Sequence, residues 1–403
     1  MIFPPQTLYA QLDQIDSIQD YAPNEPCLRL IGVNPKDFQN AAFNTAEGCS
    51  TYLIDVSWGD FLKTKIKYHP DAPDWKWPRE PHPELENWPS YWWLKLQYRE
   101  VSLRDSGTYA YELFANANPN YVILDSMNLL KGPAVAALQT SSKAPSASAN
   151  QLFRLYAYHV GQGMCALLKG GTEGFLFDMG AGVPVTRPDY QSGHHANGAP
   201  FVNELAVATS GLALQAIISH PDSDHWRLLD WDSTLRGAVS AIFTPTGTPA
   251  LALKSTHVLS KVHAIGDAAV HDSAGVSLFD IHRSQPSTST RNNECLLVET
   301  KSCGSILLPG DYVYNEWASD GNSAIRALAT SSCEAVMVPH HGDAASAKVG
   351  LSPKSSSSPA FFSAGTHKHY KHPTAASINA HQTQGFVTID RHTLDDILEC
   401  PLP

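Results

Sequence analysis

Residues 218–226 read ISHPDSDHW and place His220, Asp222, Asp224 and His225 within six positions. The run before them, LALQAII, is apolar and of strand length, so two imidazoles and two carboxylates stand at the exit of a buried strand. Left to themselves such groups repel one another or demand solvent; a cation would want all four. Comparable residues end other apolar runs further along. Asp178 closes EGFLFDMG, Asp311 closes SILLPGD, His340 and His341 follow AVMVP, and His372 follows FFSAG after a short polar stretch. Imidazole and carboxylate groups on loops after successive strands are how a layered scaffold builds a site. Histidine at this density suits zinc, manganese or iron better than calcium.

The elements that must position these residues fall into two regions. A small, polar stretch, TSSKAPSASANQ at 140–151, has linker composition. The sequence predicts a mostly β domain over 1–139, with TYLIDVSW and WWLKLQYREV as half-buried strands and the proline-rich DAPDWKWPREPHPELENWPSYW between them as loop. Over 152–403, short apolar runs alternate with helical segments such as VNELAVATSG and NEWASDGNSAIRALATS, the pattern of a layered α/β domain. The Ser/Lys/Pro stretch at 346–359 and the Gly-rich QSGHHANGAP, with His194 and His195, read as flexible loops, the second as a cover over a cleft. Of 18 histidines, 16 lie after residue 150, which puts the chemistry in the second region.

Composition narrows the setting. A net charge of −11, spread over both regions, argues against capture of nucleic acid by a broadly basic surface. No apolar run approaches the roughly 20 residues of a membrane span, and MIFPPQTLYAQLDQ lacks the pattern of a secretory leader. Seven scattered cysteines without a CxxC predict reduced thiols and a cytoplasmic protein.

Taken in order, HVGQGM (159–164), FDMG (177–180), HPDSDH (220–225), NNEC (292–295), PGD (309–311), HHGD (340–343) and YKHP (370–373) form a series. In sequence and spacing it resembles the metallo-β-lactamase superfamily, and within it the branch that holds the nuclease-like domain of bacterial DNA-uptake (ComEC-type) proteins. The resemblance covers residues 152–395 and leaves 1–139 outside. It implies an αββα sandwich with two divalent ions, zinc or manganese, at one edge. By position, His220, Asp222 and a histidine of the 340–341 pair, taken as His340, would hold the first ion. Asp224, His225 and His372 would hold the second, Asp311 would bridge, and Asp178 would brace the site through hydrogen bonds. Asp222 stands where most of the superfamily has His, a harder donor that makes manganese competitive with zinc. The departures His159, Met164, Asp343 and Lys371 touch no implied ligand.

The implied function is dinuclear metal-dependent hydrolysis of a phosphodiester, as a nuclease, with a hydroxide held between the ions as nucleophile. Asp222 and Asp224 carry it as ligands, and His369 and Lys371 of the HKHYK cluster could neutralise a phosphate or protonate a leaving group. Two alternatives stand beside it. One is a small-molecule phosphodiesterase or esterase acting on a cyclic nucleotide or phosphorylcholine-like compound. The other is an effector domain recruited by residues 1–139 binding a protein partner.

Overall fold

The computed structural model describes residues 6–70, 89–101, 107–148, 151–366 and 371–403. Most of the proline-rich stretch 71–92, and His367 to Tyr370, therefore lie outside the described residues. The chain divides into two units, Met1–Ala137 with Pro249–Ser260, and Leu138–Thr248 with Lys261–Pro403.

The first unit is built on one seven-stranded sheet. Its order is Ile66–Lys67, Asn120–Lys131, Trp92–Glu100, Gln6–Gln19, Ala22–Val33, Thr51–Ser57, Tyr109–Glu112. Asn120–Lys131 also pairs with Tyr109–Glu112, so the six strands from Asn120–Lys131 round to Tyr109–Glu112 close into a ring. Closure removes the exposed edges that a sheet would otherwise offer to other chains. Leu8, Leu28, Leu30, Ile54, Leu94, Leu96 and Met127 fill the interior.

On the opposite face of the sheet, between Leu28 and Leu30 along the strand, sits a fully buried Arg29. Its Nε donates to Asp55 Oδ1 and its Nη2 to Asp20 Oδ1, both at 2.7 Å. Tyr109 and Tyr111 donate their hydroxyls to Asp55 and Asp20 respectively. Removing Asp55 strips the guanidinium of two buried charge-assisted hydrogen bonds and the Tyr109 hydroxyl of its acceptor, leaving Asp20 as its one remaining carboxylate partner among the described residues. Asp55→Ala is accordingly expected to cost roughly 3–5 kcal/mol, measured as a lower urea midpoint by tryptophan fluorescence.

Pro249–Ser260, assigned by position in sequence to the second domain, belongs to the first unit. The Cys49 N–H donates to Lys254 O at 3.1 Å and the Thr256 N–H to Cys49 O at 3.0 Å. The linker reading of 140–151 also changes. Ser141 N–H donates to Ala264 O at 2.7 Å, and the Ser148 N–H and hydroxyl both reach the Glu173 carboxylate, so this stretch is bonded along the second unit.

The second unit has two seven-stranded mixed sheets. One runs Val262–Ile265, Val239–Pro245, Ala213–Ile217, Glu173–Met179, Cys165–Lys169, Arg154–His159, Leu398–Pro401. The other runs Ala268–His271, Ser277–Arg283, Leu296–Thr300, Ile306–Leu308, Ala335–Met337, Pro359–Phe362, Val387–Asp390. A single core fills the space between them, with Phe175, Phe177, Ile217 and Phe243 from the first sheet against Phe279, Val298, Leu308, Met337 and Phe361 from the second. Phe175 and Phe177 meet Phe279 edge-on at centroid distances of 5.0 and 5.1 Å.

Helices cover both outer faces. Arg227–Trp231 and Ser233–Ala238 lie on the first sheet. Trp317, Ile325 and Leu328, from Tyr314–Trp317 and Ser323–Leu328, pack on Leu297, Leu307, Val336, Ala360 and Phe362 of the second. The layers are thus αββα, the fold class expected from the sequence. Strands such as Glu173–Met179 are buried on both faces, which is why they read as continuous apolar runs without alternation.

Two local expectations fail. The segment read as one helix over 315–331 is two short ones, because the Asp320 carboxylate accepts the Asn322 N–H and Asn322 caps a new start. The stretch 346–359 is ordered: Ser346 is buried, Ser352–Pro353 pairs with Ser332–Cys333, and Pro359 opens a strand. All seven cysteines are unpaired, and no described helix is long and apolar enough to cross a membrane.

Candidate metal centre

Parallel strands deliver their loops to one edge of the sandwich. Asp178 ends Glu173–Met179, Ser219 to His225 follow Ala213–Ile217, Asp311 follows Ile306–Leu308, and His340 and His341 follow Ala335–Met337. At that edge Asp311 is the focus. His225 Nε2 lies 3.2 Å from Asp311 Oδ1 and His341 Nε2 3.7 Å from the same oxygen. His220 Nε2 lies 3.7 Å and His340 Nε2 3.8 Å from Oδ2. Asp224 adds its carboxylate, 3.3 Å from His341 Nε2 and 3.9 Å from His225 Nε2. Two sets of three donors result, each with donor atoms within 4.8 Å of one another: His220, His225 and Asp311, and Asp224, His225 and His341.

The outer atoms of these imidazoles explain their orientation. His341 Nδ1 lies 2.7 Å from Ser363 O, which can only accept, so the ring proton sits on Nδ1 and the Nε2 lone pair faces the centre. His225 Nδ1 donates to Asp178 Oδ2 at 2.9 Å. Ser219 gives its N–H to Asp178 Oδ1 at 2.7 Å and its hydroxyl to Oδ2 at 2.9 Å, which leaves its Oγ to accept from His220 Nδ1 at 3.2 Å. Asp178 thus fixes Ser219 and His225 directly, and His220 through Ser219, and does so from a left-handed backbone, φ 56°. Such carboxylate–imidazole pairs fix tautomer and aim in metal sites.

The inward atoms test whether a divalent ion fits. His220 Nε2, His225 Nε2, His341 Nε2 and Asp311 Oδ1 are buried and have no hydrogen-bond partner among the described residues. Imidazole nitrogens converging on several buried carboxylates call for positive charge between them, a divalent ion or, without one, protons on the imidazoles. The ionisation of the centre agrees. Burial alone would lower the His225 imidazole, yet Asp311 and then Asp178 hold it well above its ordinary value. Burial would raise the Asp311 carboxyl, yet His225 and the other imidazoles hold it well below. Asp224 is likewise held low, against burial, by His341 and His225. The side chains therefore fit a divalent ion.

Not every expected ligand sits the same way. His220, Asp224, His225 and Asp311 lie together at this edge. Of the 340–341 pair, His341 enters a three-donor set, while His340 Nδ1 donates to Asp343 at 3.1 Å and its Nε2 accepts from Asn292 Nδ2 at 3.3 Å. His372 is in neither set; its ring lies 5.6 Å from that of His340 and 6.4 Å from that of His341. Burial, then His340 and His341, push the His372 imidazole down to about 3. Asp222 approaches His220 Nε2 at 3.5 Å, while its other oxygen is ion-paired with Arg291. Lys371 is exposed, and His369 lies outside the described residues.

Sequence reasoning assigned no role to Ser219, Asn292, Ser363 or Arg291. Asn292 at least stood in the NNEC motif; the others carried no signal. The Gly-rich stretch QSGHHANGAP, read as a loose cover, is tied down. His195 Nε2 is 3.1 Å from Asp396 Oδ1, and the Asp189 and Asp395 carboxylates lie 3.6 Å from its Nδ1.

Asp178→Asn is expected to weaken divalent-ion affinity by about 10- to 100-fold, the usual effect of losing an imidazole's orienting carboxylate. Calorimetric titration of the metal-free protein with Mn²⁺ or Zn²⁺ measures it.

No protein-family model and no curated protein matches the chain. Solved structures do match. CmlA beta-hydroxylase is 13% identical, with a TM-score of 0.36, over 62% of this chain and 54% of that one. A protein of unknown function from Enterococcus faecalis V583 is 15% identical, with a TM-score of 0.29, over 46% of this chain and 49% of that one. The chain spans about half the length of each of these two structures. The layered fold described above stands on its own sheets and core.

Proposed function

We propose that the chain is a divalent-metal-dependent hydrolase of phosphodiesters, with nucleic acid as its substrate class. The observation that carries the reading is the set of buried, unbonded Nε2 atoms converging on Asp311. When bound, two divalent ions supply Lewis acidity and a nucleophile at neutral pH. His220, Asp222 and His340 would hold one, and Asp224, His225 and His341 or His372 the other, with Asp311 shared. The protein's own part is aim: Asp178, Ser219 and Ser363 keep three imidazoles turned inward before any ion arrives. His369 and Lys371 are the residues we propose for protonating the leaving oxygen. The motif series supports a phosphodiester substrate, and the unpaired cysteines suit a cytoplasmic setting. Residues 1–139 we assign, as a proposal, to recruiting a protein partner or substrate.

Restoring Mn²⁺ or Zn²⁺ to stripped protein and adding labelled single- and double-stranded DNA and RNA tests the reading, with Asp224→Ala alongside. Metal-dependent cleavage absent from the variant is expected. Hydrolysis of bis-p-nitrophenyl phosphate without polymer cleavage would move the substrate to a small phosphodiester. Silence on both would sink the phosphodiesterase reading.

A further inference from the structure

A hydrolase of this kind faces an electrostatic difficulty. Asp178, Asp222, Asp224, Asp311 and Asp343 surround the imidazoles, and a phosphodiester brings further negative charge toward them. Arg291 answers it from the connection between Ser277–Arg283 and Leu296–Thr300.

That connection is cross-tied. Glu294 N–H donates to Thr290 O at 3.1 Å, and Asn293 N–H donates to Thr290 Oγ1 at 3.1 Å, closing one turn around Arg291 and Asn292. Arg283 pairs with Glu294 at 3.2 Å, and Ser284 Oγ accepts from Cys295 N–H at 2.8 Å, anchoring the turn's far side. From this turn Asn292 reaches His340, and Arg291 sets its guanidinium against Asp222. The Arg291 side chain keeps 26% of its surface open to solvent, against 13% for Asp222.

We propose that Arg291 is the anion-recognition residue of this centre. On the phosphodiesterase reading above, its fork of N–H donors would hold the non-bridging oxygens of the substrate phosphate. Guanidinium suits planar, two-point binding of phosphate, and its charge persists at any working pH. A cation here also offsets the carboxylates that would repel the substrate. In the metal-free protein Asp222 is one anion it meets. A divalent ion held by Asp222 would weaken that carboxylate's pull on the guanidinium and leave its donors to a phosphate.

Arg291→Gln and Arg291→Lys, each loaded with Mn²⁺ and checked for metal content, are to be titrated with inorganic phosphate by calorimetry. Loss of charge-assisted hydrogen bonds predicts phosphate affinity roughly 10- to 100-fold lower in Arg291→Gln, with Arg291→Lys in between. Free guanidinium added to Arg291→Gln should recover part of the loss. A purely structural role would give no rescue and no grading with charge. Three results overturn the proposal: affinities within about twofold of wild type in both variants, a loss that tracks missing metal, or no phosphate binding by the loaded wild type. Hydrolysis of bis-p-nitrophenyl phosphate is followed in the same samples. Arg291-dependent phosphate binding by a wild type that cleaves no diester would sink the phosphodiesterase reading alone. Cleavage with unchanged phosphate affinity in Arg291→Gln would sink this inference alone.

Discussion

Replacing Asp311 with asparagine is expected to weaken divalent-ion binding by more than about 100-fold, beyond what loss of an orienting group costs, and to abolish metal-dependent hydrolysis. The carboxylate stands 3.2 to 3.8 Å from four imidazole nitrogens, whereas Asp224 approaches two of them and Asp222 one. Asparagine keeps the shape and removes the charge. Because Asp311 is the largest influence holding the His225 imidazole above its ordinary value, the variant should also let His225 fall back toward that value. The wild-type linkage has a definite sign. A raised His225 stabilises the metal-free protein below its unfolded-state pKa, and that stability is lost as pH rises through the folded pKa. A divalent ion must displace the same proton, so metal affinity rises with pH over that window. Melting temperatures with and without Mn²⁺ should therefore diverge as pH increases in wild type and stay together in Asp311→Asn. Divergence of equal size in the variant would refute the central role given to Asp311.

Gly180→Ala is expected to cripple the centre without touching any donor side chain. A methyl at 180 would overlap the backbone carbonyl oxygen of Asp224 and come within 2.5 Å of Met164 N. Both neighbours are main chain, so neither can swing aside. Overpacking of this kind costs about 3 kcal/mol at the upper end of its usual range. Yet the displaced atom belongs to a donor residue, so metal affinity should fall further than stability does. Gly161, Gly163, Gly182 and Gly365 crowd main-chain atoms of the same layer in the same way, which explains the glycines of HVGQGM and FDMG as packing requirements beneath the donors. Gly237→Ala is the matched control. No heavy atom lies within 4 Å of its added methyl, and it sits in the helix Ser233–Ala238. That substitution should stabilise the protein by up to about 1 kcal/mol and leave metal binding alone. Guanidinium unfolding and metal titration of both variants measure the contrast.

What was legible in the sequence was local in origin. Strand-length apolar runs mark the sheets because burial on both faces leaves little room for polar residues, and polar residues at their ends mark the site edge. His220, Asp224 and His225 share one loop, so their meeting is nearly guaranteed by spacing. Placement of Pro249–Ser260 was not legible, since its partner Cys49 lies about two hundred residues away and its composition matches either unit. Arg291 was hidden for a related reason: an arginine in a polar turn looks solvated until the turn is seen closed over Asp222. The choice between His340 and His341 also depends on contacts far in sequence, Ser363 for one and Asn292 for the other. The break at Asp320 to Asn322 was carried by a single side-chain cap, too small a signal against a helical pattern on either side.

His340 and His341 occupy the left-handed region, at φ 47° and 54°. Residues with a Cβ pay roughly 1–2 kcal/mol each to stay there, while glycine and asparagine pay little. This turn therefore keeps two imidazoles against the preference of its own backbone, whereas His220 and His225 carry no such cost. Among descendants of this chain released from selection for its chemistry, positions 340 and 341 should be the first to drift, toward glycine and asparagine. A lineage that still keeps both histidines is one in which the chemistry is still being selected.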